Sequence, residues 1–233
     1  MKNEKLNEGK NQPLLNLITA LLIAILVISA SVTFTLFDKG AYERMVAREN
    51  LPQSAGMSEA EILANYRALI DYNSIFFTGP LLFPTLPMSD AGRTHFEEVK
   101  TIFSVFQIAL LVSAALTALI FIAVMLRKRQ FRFSYIASFI KLGGIAALVI
   151  PAAVVSIVAI VGWDRFFALF HQLFFNNEFW VFDYRTDPVI LILPDAWFLN
   201  CLVRIVLGVV ISSVILIVAG RKIAKTLEYS ANM

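Results

Sequence analysis

Four long apolar runs constrain this chain more than any other feature of its sequence. About 20 apolar residues are enough for a helix to cross the hydrocarbon core of a bilayer. The runs cover residues 13–37, 101–126, 142–163 and 196–220, and only the last contains a charge, that of Arg204. The first run is too long for a signal-peptide core of about 7–15 residues, so it is interpreted as a retained helix.

The composition agrees with this interpretation. The chain is 58% hydrophobic and 16% charged, whereas soluble domains carry nearer a quarter charged residues. We therefore predict an all-α membrane protein, a single integral membrane domain over residues 1–233. Its transmembrane helices are expected at about 13–37, 101–126, 140–163 and 196–220.

The basic residues predict how the helices are oriented. The two termini and the connection between the second and third runs together contain eleven basic and three acidic residues, and the two longer connections contain eight basic and fourteen acidic ones. Because Lys and Arg collect on the cytoplasmic side, both termini are predicted to be cytoplasmic. The loops at about 38–100 and 164–195 are then extracytoplasmic. The net charge of +3 does not show this uneven distribution of charge between the two sides. Because the basic residues are explained by the membrane topology, they imply no nucleic-acid partner.

The first extracytoplasmic loop is too long to lack structure of its own. Ser58 and Glu61 form a capping-box pattern, and apolar residues follow at helical spacing to about Asn73. Three prolines then predict an extended stretch, after which Ser89 or Asp90 can start a helix that continues into the second span. We expect the loop helices to form a cap.

His95 and His171 are the two histidines of the chain, and each lies at an edge of an apolar run. On the predicted topology both edges face the same side, so the two rings can meet in an acid/base site at the membrane surface. We expect the imidazoles to lie within about 10 Å of each other, because two groups that transfer protons to and from one substrate must both reach it. The alternative is that each is an ordinary interfacial histidine. Four aromatic residues after His171 are interpreted as a belt at the membrane interface: Phe174, Phe175, Phe179 and Trp180.

Two further residues stand inside the fourth apolar run. Arg204 is costly at that depth unless it is paired or reaches water, so it is a functional candidate, with snorkelling to the interface as the alternative. Cys201 has no second cysteine to pair with, and we interpret it as a packing residue.

The polar segment after His171 resembles the lipoprotein intramolecular transacylase family of bacterial membrane proteins. The resemblance lies in the string His-x-x-Phe-Phe-x-Asn-Glu-x-Trp from His171 to Trp180, in Asp183-x-x-Thr-Asp187-Pro, and in the upstream His95-x-x-Glu98. The family has Asp where this chain has Glu98 and Glu178. It also has Pro, Glu and Phe where this chain has Tyr184, Asp195 and Trp197.

This resemblance implies an enzyme and its site. The expected reaction moves the sn-2 acyl chain of a diacylglyceryl-cysteine lipoprotein to the N-terminal amine, giving a lyso-form lipoprotein in the bacterial plasma membrane. His95 and His171 would be catalytic. Candidates for stabilising the oxyanion or orienting the substrate are Asn177, Arg204, Glu98 and Tyr72, and candidates for a substrate loop are Trp180, Asp183 and Asp187.

An amide is more stable than an ester, so the transfer implies no cofactor and no metal. The partners implied are lipoproteins and membrane lipid, with no obligate protein partner. Two alternatives stay open. One is a non-enzymatic membrane protein that binds or chaperones lipoproteins. The other is a metal-dependent membrane hydrolase that uses both histidines with Asp183 or Asp187, although this spacing is unlike known zinc motifs.

Overall fold

The computed structural model describes residues 2–126 and 129–231, with side chains described for residues 14–126, 133–227 and 229. Within these ranges the chain forms nine α-helices and one short 3₁₀-helix, at Pro188–Ile192, and no strand. The α-helices are α1 (Lys2–Phe37), α2 (Lys39–Arg48), α3 (Leu51–Ala55), α4 (Glu59–Tyr72), α5 (Asp90–Met125), α6 (Arg129–Ala147), α7 (Val149–Val161), α8 (Trp163–Phe174) and α9 (Asp195–Ala231).

Four helical segments are long and apolar enough to cross a membrane, as predicted. They are Leu14–Phe37, Asp90–Met125, Phe133–Val161 and Asp195–Leu227. Most apolar side chains of the second and fourth segments are exposed, with 11% of each most apolar window buried. Apolar surface of this extent suits contact with lipid rather than with water, which confirms the predicted fold class.

The helix that begins at Asp90 continues without a break into the second span, as predicted. The third span is divided between α6 and α7 at Leu148. Pro151 explains the break, because it has no N–H to donate to the carbonyl of Ala147 four residues earlier, and its ring crowds that carbonyl.

Within the described residues the chain separates into two compact units. The first comprises residues 1–31, 108–154 and 206–233, and the second comprises residues 32–107 and 155–205. The prediction of a single integral membrane domain over residues 1–233 stays a prediction. The orientation prediction depends in part on side chains that lie outside the described residues: Lys2, Glu4, Lys5, Glu8, Lys10, Arg127, Lys128, Arg129, Arg132 and Glu228.

Glycines bring the helices of the first unit close together. A Cβ at Gly144 would lie 2.8 Å from the carbonyl oxygen of Ser213, and one at Gly220 would lie 2.7 Å from that of Ala137. Small residues permit such close backbone approach between helices in membranes, where van der Waals packing drives association.

An aromatic cluster forms the centre of the second unit. The rings of Tyr42 and Tyr66 stack with centroids 3.5 Å apart, and Trp197 meets both rings edge-on. The Tyr42 hydroxyl donates a hydrogen bond of 2.6 Å to the carbonyl of Ile192. This cluster joins α2, α4, the 3₁₀-helix and the start of α9, and the sequence did not predict α2 or α3.

The predicted helix after Ser58 is confirmed as α4. The Ser58 hydroxyl accepts from the Glu61 N–H and the Glu61 carboxylate accepts from the Ser58 N–H, which is a complete capping box. Further on, the buried Asn65 fixes the following segment, since its side chain donates to the Thr85 hydroxyl at 2.7 Å and accepts from the Thr85 N–H at 3.2 Å.

Candidate functional site

His95 lies in the second turn of α5, and the start of that helix is held by two polar side chains. The Ser89 hydroxyl accepts from the Gly92 N–H at 3.0 Å, and the Asp187 carboxylate accepts from the Ser89 N–H at 2.8 Å. Asp187 is itself buried, with 3% of its surface exposed. A Cβ at Gly92 would come within 2.2 Å of Asp187 Oδ1, so only glycine leaves room for the carboxylate there.

His171 lies in the last turn of α8. Gly162 separates this helix from α7 with a φ of +82°, a conformation that side chains other than hydrogen disfavour. The Nδ1 atom of His171 is 2.8 Å from the carbonyl oxygen of Phe167. Because a carbonyl oxygen can only accept, Nδ1 carries the proton, and the neutral ring has its lone pair on Nε2.

The two imidazoles lie side by side. Their centroids are 5.9 Å apart and their planes differ by 34°, which confirms the predicted separation of less than about 10 Å. Both residues belong to the second unit, and both are buried. At this distance a proton on one ring disfavours a proton on the other.

Aromatic rings surround the histidine pair. Trp180 stacks on His171 with centroids 4.6 Å apart, and Phe167 lies 4.3 Å from the same ring. Phe175 packs against both histidines, 4.8 Å from His95 and 5.5 Å from His171. Phe182 completes the wall on the side of His95, at 5.5 Å. Such a layer excludes water and strengthens electrostatic interactions inside it.

The aromatic belt predicted from the sequence is therefore wrong for two of its members. Phe175 and Trp180 contact the histidines and belong to the site, while Phe174 and Phe179 are exposed. The sequence spacing alone does not separate the two groups, because the chain leaves helical geometry at Phe175.

Burial lowers the pKa of His171 below its ordinary value of 6.5, and the hydrogen bond to the Phe167 carbonyl opposes this shift only in part. Desolvation penalises the charged form of a base. His171 is therefore neutral at neutral pH and available as a proton acceptor at Nε2.

Asn177 and Glu98 are joined by a hydrogen bond. The Asn177 amide donates to Glu98 Oε1 at 2.9 Å and accepts from the Phe179 N–H at 3.0 Å. Glu98 lies one helical turn beyond His95 on α5, so this contact joins the same two segments as the histidine pair. The prediction that these residues lie near the site agrees with this geometry.

The structure does not bring the remaining candidates to the histidines by any described hydrogen bond or ring contact. Tyr72 packs edge-on against Phe77 and beneath the Lys100 ammonium. Arg204 forms an ion pair with Asp38, which satisfies the charge that made it a candidate. Burial raises the pKa of Asp38, but the hydrogen bond and charge of Arg204 outweigh it and leave this pKa below its ordinary value.

Asp183 and Asp187 lie in very different surroundings. Asp183 is paired with Arg185 at 2.6 Å, and the hydrogen bonds from Arg185 lower its pKa to about 2. Asp187 accepts from Ser89 and from the Thr186 hydroxyl at 2.8 Å. Asp187 thus positions the helix that carries His95, while Asp183 stabilises a surface turn.

No group of three His, Cys, Asp or Glu side chains suited to a metal ion occurs within the described residues. The carboxylates proposed as ligands for a hydrolase are each engaged elsewhere, Asp183 with Arg185 and Asp187 with Ser89. The ligand geometry thus gives the metal-dependent hydrolase no support.

We predict that Asp187→Ala destabilises the protein by about 1–3 kcal/mol, because it leaves the half-buried Ser89 N–H without an acceptor. Asp183→Ala is the matched control, since its carboxylate is exposed, and it should leave the unfolding transition nearly unchanged. Denaturant unfolding in detergent micelles measures both variants. Equal losses of stability would contradict the positioning role of Asp187.

Comparison with known proteins agrees with this geometry. The family model of the lipoprotein intramolecular transacylase Lit matches residues 17–198. An in meso structure of the membrane integral lipoprotein intramolecular transacylase Lit from Bacillus cereus is 30% identical, with a TM-score of 0.86 over 95% of this chain and 99% of that chain. No curated protein sequence matches significantly.

Two mutant structures of the Bacillus cereus protein are also similar. One carries a histidine-to-arginine mutation and is 30% identical, with a TM-score of 0.84 over 99% of this chain and 100% of that chain. The other carries a histidine-to-alanine mutation and is 29% identical, with a TM-score of 0.83 over 97% and 99%. The chain therefore belongs to the lipoprotein intramolecular transacylase family, a family of membrane integral acyltransferases.

Proposed function

We propose that this protein transfers the sn-2 acyl chain of a diacylglyceryl-cysteine lipoprotein from glycerol oxygen to the N-terminal amine of the same molecule. The product is an N-acylated lyso-form lipoprotein. Membership of the transacylase family supports the reaction class. The observation that carries the assignment of the site is the buried pair of His95 and His171, 5.9 Å apart within a wall of aromatic rings.

The reaction requires two proton acceptors in sequence. The substrate begins as an ammonium and ends as an amide N–H, so its nitrogen loses two protons. One of these protons ends on the glycerol oxygen when the ester C–O bond breaks, and the other returns to solvent. Two adjacent imidazoles suit this requirement, because each is neutral at the start and can take a proton from nitrogen, and one of them then passes its proton to the leaving glycerol oxygen.

His171 is proposed as the group that takes the proton from nitrogen. Its Nδ1–H is committed to the Phe167 carbonyl, so Nε2 is its remaining functional atom. His95 is then the group that serves the glycerol oxygen. Phe175 and Trp180 hold the rings in place and exclude water, which favours attack by the amine over hydrolysis of the ester.

Intramolecular transfer depends on holding two parts of one lipid together. Amine and ester belong to the same molecule, so binding in the reacting conformation replaces an encounter between two reactants. Asn177 is proposed to orient the substrate through Glu98. Tyr72 contacts Lys100 and Arg204 pairs with Asp38, so these two residues are proposed to stabilise the surrounding loops rather than the oxyanion. Asp183 and Asp187 are proposed to stabilise the substrate loop.

The proposed setting is the bacterial plasma membrane, with residues 1–233 as one integral membrane domain and both termini in the cytoplasm. The charge distribution of the sequence supports this orientation. In this proposed orientation the histidine pair lies on the extracytoplasmic face, at the depth where the ester of an anchored lipid lies. Lipoproteins and membrane lipid are the proposed partners, without an obligate protein partner and without a cofactor.

We predict that His95→Gln and His171→Asn each lower the formation of N-acyl lipoprotein by about 10²-fold or more. His171→Asn keeps a donor for the Phe167 carbonyl but has no Nε2, so it separates catalysis from folding. The measurement is mass spectrometry of a lipoprotein co-expressed in a host that lacks N-acylation, with Glu97→Gln, a change of an exposed carboxylate, as the active control.

Two outcomes of that experiment would overturn the proposal. If the unmodified protein gave no N-acyl, S-monoacyl product while still binding the lipoprotein, the non-enzymatic binding function would replace the transacylase. If both histidine variants stayed fully active, the assigned site would be wrong.

We predict that kcat falls as the pH falls, with a midpoint below 6.5. The reason is that His171 acts as a base and that burial lowers its pKa below 6.5, so its protonation, and the loss of activity, come at a lower pH than for a free histidine. The free energy of unfolding should also fall with pH. His171 is protonated at a higher pH in the unfolded chain than in the folded one, so the folded state loses stability as the pH falls below 6.5 toward the lowered pKa.

The measurement is the pH profile of kcat for the purified protein in detergent, with circular dichroism at each pH to show that it is folded. His171→Asn provides the control, since its stability should depend less on pH in the same window. A midpoint at or above 6.5 would contradict the burial of a functional His171.

A further inference from the structure

Glu98 carries a buried carboxylate oxygen that has no partner. Its Oε1 atom accepts the hydrogen bond from the Asn177 amide at 2.9 Å, whereas its Oε2 atom is buried without a hydrogen bond. Leaving such an acceptor unsatisfied costs free energy, and more so when the group is charged. A carboxylate in this state is suited to receive a donor from a ligand.

Among the described side chains, no cation of the protein pairs with Glu98. The nearest basic residue along the chain, Lys100, donates to the Phe77 carbonyl at 3.0 Å and lies over the Tyr72 ring. Arg204 is engaged with Asp38. Within the part of the chain that the structure describes, the hydrogen bond to the Glu98 carboxylate comes from the Asn177 amide, which is a neutral donor.

The position of this oxygen relative to the histidines indicates what the ligand is. Glu98 lies one turn beyond His95 on α5, and Asn177 lies shortly after His171 in the chain. The Nδ1 atom of His95 is also buried without a partner, in a residue that is 5% exposed. A carboxylate acceptor and an imidazole nitrogen, both unpartnered, thus occur on the same helix within one turn of each other.

We propose that Glu98 binds the N-terminal ammonium of the lipoprotein, with Asn177 as the residue that positions the carboxylate. The inference rests on the proposed function, since that reaction supplies a primary ammonium to the site. An α-ammonium has three donors, so one N–H bonds to Glu98 Oε2 while another points to an imidazole. The fixed negative charge holds the nitrogen until a histidine removes its proton.

This role makes Glu98 a specificity residue for free amines. An α-amino group has an ordinary pKa of about 7.7–8.0 and is mostly protonated at neutral pH. A lipoprotein whose amine is already acylated has no positive charge and one N–H in place of three, so it satisfies the Glu98 carboxylate less well. The product of the reaction is such a molecule, and the same carboxylate therefore favours its release.

The test compares binding of two lipopeptides that differ only at the nitrogen. Both carry ether-linked chains, which cannot be transferred, and one has a free amine while the other is N-acetylated. We expect the unmodified protein to bind the free amine about 10- to 100-fold more tightly, as for a hydrogen bond to a charged group. Binding is measured at pH 7 by the thermal shift of the detergent-solubilised protein.

The variants Glu98→Gln and Glu97→Gln form a matched pair. Glu97 is the adjacent, exposed carboxylate on the same helix. We expect Glu98→Gln to bind both lipopeptides equally, because its amide turns a donor toward the ammonium, and Glu97→Gln to keep the discrimination. Glu98→Asp retains the charge and should retain most of the discrimination, which keeps the test informative if Glu98→Gln folds poorly.

Two results would overturn the proposal. One is equal binding of the two lipopeptides by the unmodified protein, and the other is undiminished discrimination in Glu98→Gln. Neither depends on turnover, so failure of this inference is distinct from failure of the proposed function, which is read from the N-acyl product.

Discussion

The burial of two imidazoles side by side among aromatic rings is the constraint on which the site depends. A layer of Phe167, Phe175, Phe182 and Trp180 keeps water from His95 and His171. In such surroundings a charge on either ring is costly, and a charge on both is more costly still. The pair is therefore stable as neutral bases, which is the protonation state that acyl transfer to an amine requires.

Each buried carboxylate of this region has a role that its hydrogen-bond partners define. Asp187 is fully engaged by backbone and hydroxyl donors, and it fixes the start of the helix that carries His95. Glu98 is only half engaged, since one of its oxygens has no partner. The hydrogen bonds of Asp187 are those of a structural group, whereas Glu98 has a free acceptor oxygen that suits a donor from a ligand.

Sequence patterns were sufficient for the features that depend on local chemistry. The four apolar runs predicted the spanning helices, and the Ser58 capping box predicted α4. The family motif predicted the two histidines, which prove to be neighbours. In each case the prediction depends only on a run of apolar residues or on a short motif of neighbouring residues.

Features that depend on contacts distant in sequence were beyond this kind of reasoning. Asp38 as the partner of Arg204 and Asp187 as the acceptor for Ser89 are pairs separated by 166 and 98 residues. The division of the aromatic residues into site and surface follows from the end of α8 at Phe174 and the extended backbone of Phe175. Gly92 is a sequence signal for the close approach of Asp187 to α5. A glycine inside a helix lowers its stability, so its presence there suggests that another group packs closely against the backbone.

The most direct test of the central claim is the origin of the transferred acyl chain. A lipopeptide with a deuterated sn-2 chain is incubated with the purified protein in unlabelled phospholipid, and the product is read by mass spectrometry. Intramolecular transfer at the histidine pair predicts that every product molecule carries the deuterated acyl chain on its nitrogen. It also predicts that His171→Asn forms about 10²-fold less of this product. An unlabelled N-acyl chain drawn from the surrounding lipid would contradict the account.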